Sequence, residues 1–464
     1  MAAVASRSAE LRRELGVVDL VCLQIVMIVG GTWVGTAGKL GPAHLIFWLL
    51  ASALFFAPLV ATVLYLNRWA PLEGGLYQWA KLAFSPGVGF MVAFNLWLWA
   101  VVLLAGLGLD LVTSFGYAFE RLAWMHQDRV IPAVGSVALI AALAGASLLG
   151  LRVGKRVHNA GGMVRMGVYG LLLLLPLWAI AAGHPLRPDA ARVATPTLSL
   201  RSLNILAKMG FGAFSGFEYV AIFAGESRSP ARSFARSVVV AAPVVIAMFV
   251  LGTGSVLAFV APDEIDLIAP IPQVLRLATG GVGPAAGLAS TVTVLLTLGE
   301  IAWGSAAFAG VTRLPMVAGW DGLLPAWFSR LSPRSRVPVN SILVLAGVTS
   351  ALAVAGLSGV GHQEAYQLFS SAALVFYALT YLVMFAIPLA SRARDLPERP
   401  LGLRVACASG FAATLAFIAL SVLPIVHVAS AGRFGAKVAG VVVLANAAGA
   451  ALYLAGRRRA RRSE

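Results

Sequence analysis

Runs of about twenty predominantly apolar residues recur along the whole chain, and this recurrence limits the possible folds most. Twelve such runs cover residues 18–37, 44–66, 88–110, 130–150, 160–182, 204–224, 238–260, 285–310, 338–356, 366–390, 404–428 and 434–456. Each is long enough to cross a hydrocarbon layer of ~30 Å as a helix. The 464 residues are 59% hydrophobic and only 12% charged, more apolar surface than a soluble chain of this size encloses. The gaps between runs are too short for a soluble domain. The reading is an all-α integral membrane protein with twelve transmembrane helices in one domain, residues 17–456.

The net charge of +16 raises the question of a nucleic-acid partner, and its distribution answers it. Twelve spans put both termini on one side, and that side carries 24 of the 35 Lys and Arg, including Arg13, Lys81, Lys155, Arg232, Arg334, Arg394 and the tail RRRARR. Nine lie on the other side, among them Arg129, Arg201 and Arg433. The positive-inside rule then places both termini in the cytoplasm of a multi-pass cell-membrane protein. Residues 1–16 are read as a cytoplasmic N-terminal segment without a cleaved signal peptide, and 457–464 as a basic cytoplasmic tail. That tail serves as a topology anchor or, alternatively, binds anionic membrane lipid. No nucleic acid is implied. Cys22 and Cys407 fall within spans and suggest neither a disulfide nor a metal site, and no cofactor is called for. The six histidines are scattered, without the Asp, Glu and His cluster that a membrane-face enzyme would need.

Two runs are interrupted by small residues in a way the others are not. The first reads IVMIVGGTWVGTAGKLGP and contains Gly30, Gly31, Thr32 and Trp33; the sixth reads AKMGFGAFSGFEYV and contains Phe214, Ser215, Gly216, Phe217 and Glu218. Five spans separate them, so the first runs outward and the sixth inward, as in two inverted five-helix halves. Paired glycine-interrupted helices at matching places point to a transporter's substrate site. Close helix packing is the alternative.

Four stretches resemble the amino acid–polyamine–organocation superfamily of permeases. They are VGGTWVG followed by LGPAHLIFWLL, the loop PLEGGLYQWAKLAFSPGVGFMVAFNLW, the stretch FGAFSGFEYVAIFAGESRSP, and TRLPMVAGWDGLLPAWFSRLSPRSRVP. The resemblance implies a leucine-transporter-type fold: inverted repeats over about 17–183 and 201–390, with extra helices over 401–456. It also implies alternating access around a site at broken helices one and six. The substrate would be an amino acid or related small amine, moved with proton coupling or by exchange, and without sodium. Gly30, Gly31, Thr32, Trp33, Phe214, Ser215, Gly216 and Phe217 are then the substrate-site candidates. Thr32 stands where the family has a second glycine, and Trp33 either narrows the pocket or stacks on an amine. A sensor that binds without moving substrate is the alternative to a carrier.

Ionisable residues inside the spans are functional candidates by default, because a charge at the bilayer centre costs ~3 kcal/mol or more. Glu218 either couples transport to protonation or to a substrate amine, or it braces the span-six break. Arg165 either aligns with the cationic residue that replaces sodium in sodium-independent members or snorkels to the cytoplasmic face. Glu300 either pairs with Arg165, packs on a polar neighbour or faces a water-filled cavity. Asp110 and Lys208, near outer span ends, read as interfacial. Asn95, Trp97 and Trp99 are pocket candidates that fit packing equally well.

Overall fold

A computed structural model describes residues 13–463 apart from 127, 129, 189–191, 229, 268, 280–283, 358–361, 394 and 424–429. Residues 1–12 of the expected N-terminal segment, Arg129, Arg394 and Glu464 lie outside the described residues. The elements in chain order are α1 (Val17–Ile28), α2 (Gly31–Gly38), α3 (Gly41–Trp69), α4 (Leu76–Ala83), α5 (Pro86–Ala118), α6 (Ile131–Leu148), α7 (Leu151–Ala181) and α8 (Leu200–Glu226). There follow α9 (Pro230–Leu257), α10 (Pro270–Thr279), α11 (Pro284–Val311), α12 (Arg313–Trp320), α13 (Val339–Leu357), α14 (His362–Ala390), α15 (Leu401–Ser421) and α16 (Ala431–Ser463).

Ten helices among the described residues are long and apolar enough to cross a membrane, or eleven if the bent pair α1–α2 counts as one span. A shorter apolar helix, Val339–Ala355, occupies the place of the expected ninth run. The chain is therefore an all-helical, multi-pass membrane protein. The last helix does not stop at residue 456. It carries the basic tail onward as helix to Ser463.

Local chemistry sets several boundaries. Ser85 caps α5 by accepting the Val88 N–H at 3.3 Å, and Pro86 fits the first turn because its missing N–H is not needed there. Asp19 in the first turn of α1 reaches back to the Gly16 N–H at 2.8 Å. Packing then sorts the helices by depth. The hydrophobic window of α8 is 83% buried within the protein, against 11% for α16. The helix α5 packs on α6, α11 and α14, while α7 packs on α1 and α11. The rim helices expose Leu174, Leu177, Ile180, Leu415, Val443 and Leu444 outward, as lipid contact requires.

Candidate functional site

The site begins with two places where the backbone stops being α-helical. In the first, α1 ends at Ile28, Val29 (φ −77°, ψ 97°) and Gly30 (φ −111°, ψ 135°) are extended, and α2 restarts at a 47° angle. In the second, α8 is α-helical to Ala207, widens to a π-turn over Lys208–Ala213, and resumes as a 3₁₀ turn from Phe217. Gly216 joins the halves at φ 102°, a conformation open to glycine at little cost. Gly212 answers a different need, since a Cβ there would collide with the Trp33 ring. Trp33 thus spans from one break to the other.

Between the breaks lies a cavity of about 230 Å³. Gly30, Gly31, Thr32 and Trp33 line one wall, and Gly212, Ser215 and Gly216 another. Trp99 and Asp110 of α5, Arg165 of α7, Ile271 of α10, Glu300 and Trp303 of α11 and Tyr377 of α14 complete it. Ten of the residues singled out in the sequence meet here: Gly30, Gly31, Thr32, Trp33, Trp99, Asp110, Arg165, Ser215, Gly216 and Glu300. Phe214 and Phe217 do not line it. Phe214 stacks on Phe56 at 4.4 Å and Phe217 meets the same ring edge-on at 5.3 Å, so both serve packing behind the break.

Glu218 also lies outside the cavity lining. It is fully buried two residues beyond Gly216, and the hydroxyls of Tyr377 and Tyr381 each donate to one of its oxygens. Tyr381 in turn accepts the Gly216 N–H at 2.9 Å, so the carboxylate is tied to the break through one tyrosine. Tyr377 faces the cavity and stacks on Trp99 at 4.5 Å, so it stands between substrate space and Glu218. The two tyrosines sit one turn apart on α14, a spacing that in an apolar span signals nothing beyond packing.

Arg165 is buried rather than snorkelling. Its guanidinium donates to the Val29 carbonyl, to the Gly299 carbonyl at 3.2 Å and to Glu300 at 2.8 Å. Tyr169 donates to the Gly30 carbonyl at 3.1 Å. The carbonyls of Val29 and Gly30 are thereby bonded, whereas the N–H groups of Gly31 and Thr32 have no acceptor among the described residues. Asp110, read as interfacial, lines the cavity on the unbroken helix α5, along with Trp99 and Ser114. Lys208 is half-buried in the π-turn, outside that lining. Asn95 bonds to Asn446 of α16 at 2.7 Å, and Trp97 packs near Phe94, so of that trio only Trp99 reaches the cavity.

A sequence model of the amino acid permease family matches residues 15–444, nearly the whole chain. The chain belongs to the amino acid permease family. The resemblance to the wider amino acid–polyamine–organocation superfamily holds with it. The permease is 23% identical over 395 residues to an uncharacterised transporter of Legionella pneumophila, covering 84% of this chain and 83% of that one. It is 24% identical over 405 residues to a branched-chain amino acid permease of Bacillus subtilis (80% and 83% covered). It is 21% identical over 387 residues to a protein of Lactococcus lactis named "probable agmatine/putrescine antiporter" (80% and 78% covered).

At the end where α8 finishes, the permease holds a buried charge triad that sequence reading passed over. Arg313 forks onto Glu226 with two bonds of 2.9 Å, and Glu73 lies 3.6 Å from the same guanidinium. Glu73 accepts the Gly225 N–H at 2.8 Å, while its other oxygen receives no hydrogen bond among the described residues. Burial, and then the neighbouring Glu226, push the Glu73 carboxyl well above the usual range against the pull of Arg313. A protonated Glu73 beside a one-to-one Arg313–Glu226 pair leaves the triad neutral. The three residues come from three of the resembling stretches.

Proposed function

We propose that this permease is a secondary active transporter that moves an amino acid or related small amine by alternating access. The observation that carries this reading is the cavity between two helix breaks, where unpaired backbone groups face space sized for a small molecule. The N–H groups of Gly31 and Thr32, at a helix start, suit a carboxylate. The Bacillus relative is named a branched-chain amino acid permease and the Lactococcus relative a probable agmatine/putrescine antiporter, and both names support this substrate class. The inverted repeats would run over about 17–183 and 201–390, with 401–456 as added helices, giving twelve spans. A membrane transporter with this site needs no covalent chemistry, so the reading is of a carrier and not an enzyme.

Sodium independence belongs to the same proposal. The Arg165 guanidinium bridges the carbonyls of Val29 and Gly299, a job that a bound cation could otherwise do. Counterflow in proteoliposomes tests both points. Labelled substrate should enter against unlabelled substrate, and replacing sodium with choline at fixed pH and voltage should leave the rate within about twofold, below ~0.4 kcal/mol. Binding without counterflow would make the protein a sensor; loss in choline would refute sodium independence.

Both termini are proposed to lie in the cytoplasm. Arg232 and Arg334 are exposed at the basic end, and Arg201 and Arg433 are exposed at the other. Cysteines placed at 232 and 334 should resist an impermeant maleimide in intact cells, while those at 201 and 433 react. The native Cys22 and Cys407 are buried and leave a quiet background. The reverse pattern would invert the topology.

A further inference from the structure

The cavity's ionisable lining is unbalanced, and the imbalance selects a substrate charge. Among the described residues the charged side chains on its wall are Arg165, Glu300 and Asp110. Arg165 is committed to Glu300 at 2.8 Å and to two carbonyls, which leaves Asp110 over. Asp110 makes no hydrogen bond or ion pair to another described residue, and the charged group that bears on it is the Glu300 carboxylate, of like sign. Both carboxylates also border a smaller recess that shares Ser114 and Thr297 with the main cavity's wall. Along α5 the lining residues Trp99, Leu103, Gly106, Leu107, Asp110 and Ser114 form one stripe. Asp110 lies ~16 Å up that helix from Trp99, at 1.5 Å per residue.

We infer that Asp110 sets a preference for cationic substrates, with Asp110 and Glu300 receiving an ammonium or guanidinium group. The inference rests on the transport reading of this cavity and deepens it. The carbonyls of Val29 and Gly30, which would otherwise attract an ammonium, are already bonded to Arg165 and Tyr169. A positive group on the ligand finds a counter-charge at Asp110, the carboxylate on the wall with no partner of its own among the described residues. An ionised carboxyl in a largely apolar site is unfavourable, and a cationic ligand offsets the cost of forming it. A ligand without the cation leaves Asp110 as it was.

The test uses a matched pair, L-lysine and L-norleucine, which differ by one terminal ammonium. Thermal-shift titration of the detergent-purified permease should give a Kd for L-lysine lower by about tenfold or more. Asp110→Asn should bring the ratio to about threefold or less, and Asp110→Glu should restore it. Equal affinities in the wild type, tighter L-norleucine, or an unchanged ratio in Asp110→Asn would each overturn the inference. If the Asn variant does not fold, the wild-type ratio decides alone. Counterflow of L-norleucine without any response to L-lysine would refute the charge preference and leave the transport reading standing. If neither these probes nor any other amino acid or amine binds, the transport reading itself fails, and the inference with it.

Discussion

Replacing Arg313 with alanine is expected to destabilise the folded permease by about 3–5 kcal/mol, the usual penalty for stranding a buried charge. The guanidinium is 4% exposed, and its removal leaves Glu226 and Glu73, at 4% and 0%, facing each other without a counter-ion. The Phe223 ring, 4.7 Å from the guanidinium carbon, also loses its cation. Glu73→Gln should behave differently and cost no more than about 1 kcal/mol, because Glu73 is the least satisfied member. Its one hydrogen bond, from the Gly225 N–H, survives in the amide. The pH dependence has a definite sign. Because the folded-state pKa of Glu73 is raised, folding takes up a proton there. The associated stability is present below the unfolded value of about 4.3 and is lost as pH rises toward the folded value. Glu73→Gln should flatten that slope. Unfolding titrations in mixed detergent micelles at pH 5 and pH 8 measure both effects. An Arg313→Ala protein as stable as the wild type would show that the triad contributes nothing.

Much of this arrangement is written locally in the chain. Apolar length alone located the helices, because a backbone in lipid has few ways to satisfy itself. Against the twelve runs expected, ten helices among the described residues, or eleven with the bent pair α1–α2, reach spanning length; Val339–Ala355 falls short of it and α16 runs on past residue 456. Gly30, Gly31, Ser215 and Gly216 were legible because glycine marks a backbone that must leave the helix. Phe214 and Phe217 were misplaced by the same logic. Residues flanking a break point to both of its sides, and only packing against Phe56 shows which side is which. Arg165 and Glu300 could be paired from the sequence only as one option among several. Tyr377, Tyr381 and Arg313 were hidden because their meaning comes from partners 87 or more residues away. Asp110 illustrates the difficulty: eleven residues beyond Trp99, it looks like the wet end of a span. The long, unbroken α5 keeps it on the cavity wall.

Glu218→Gln is expected to leave a folded, membrane-inserted permease whose substrate accumulation no longer depends on pH. As a carboxylate, Glu218 accepts from Tyr377 and Tyr381 at once. Protonated, it has a hydrogen to give, and either tyrosine hydroxyl can take it if its bond turns round. Turning the Tyr381 bond reaches the helix break, because the same hydroxyl accepts the Gly216 N–H. Turning the Tyr377 bond reaches the cavity wall, where that ring stacks on Trp99. Either way, the proton on Glu218 is read as hydrogen-bond direction beside the substrate space, although the carboxyl does not touch it. A coupling ion needs this kind of state-dependent interaction, since a group that interacts equally with every conformation shifts none of them. Glutamine has the same shape with one fixed donor and one fixed acceptor end, so it freezes the network in a single arrangement. Uptake against a gradient should fall by about tenfold or more at the wild-type optimum, with exchange of labelled for unlabelled substrate retained; that is ~1.4 kcal/mol of lost coupling. Tyr381→Phe removes the link to Gly216 while sparing the carboxyl, and it should reproduce the loss of pH dependence. Proteoliposome uptake between pH 5 and pH 8 reads all three proteins. If Glu218→Gln keeps the wild-type pH profile, Glu218 does not couple transport to protons. If it fails to fold while Tyr381→Phe keeps the profile, Glu218 braces the break and the proton acts elsewhere.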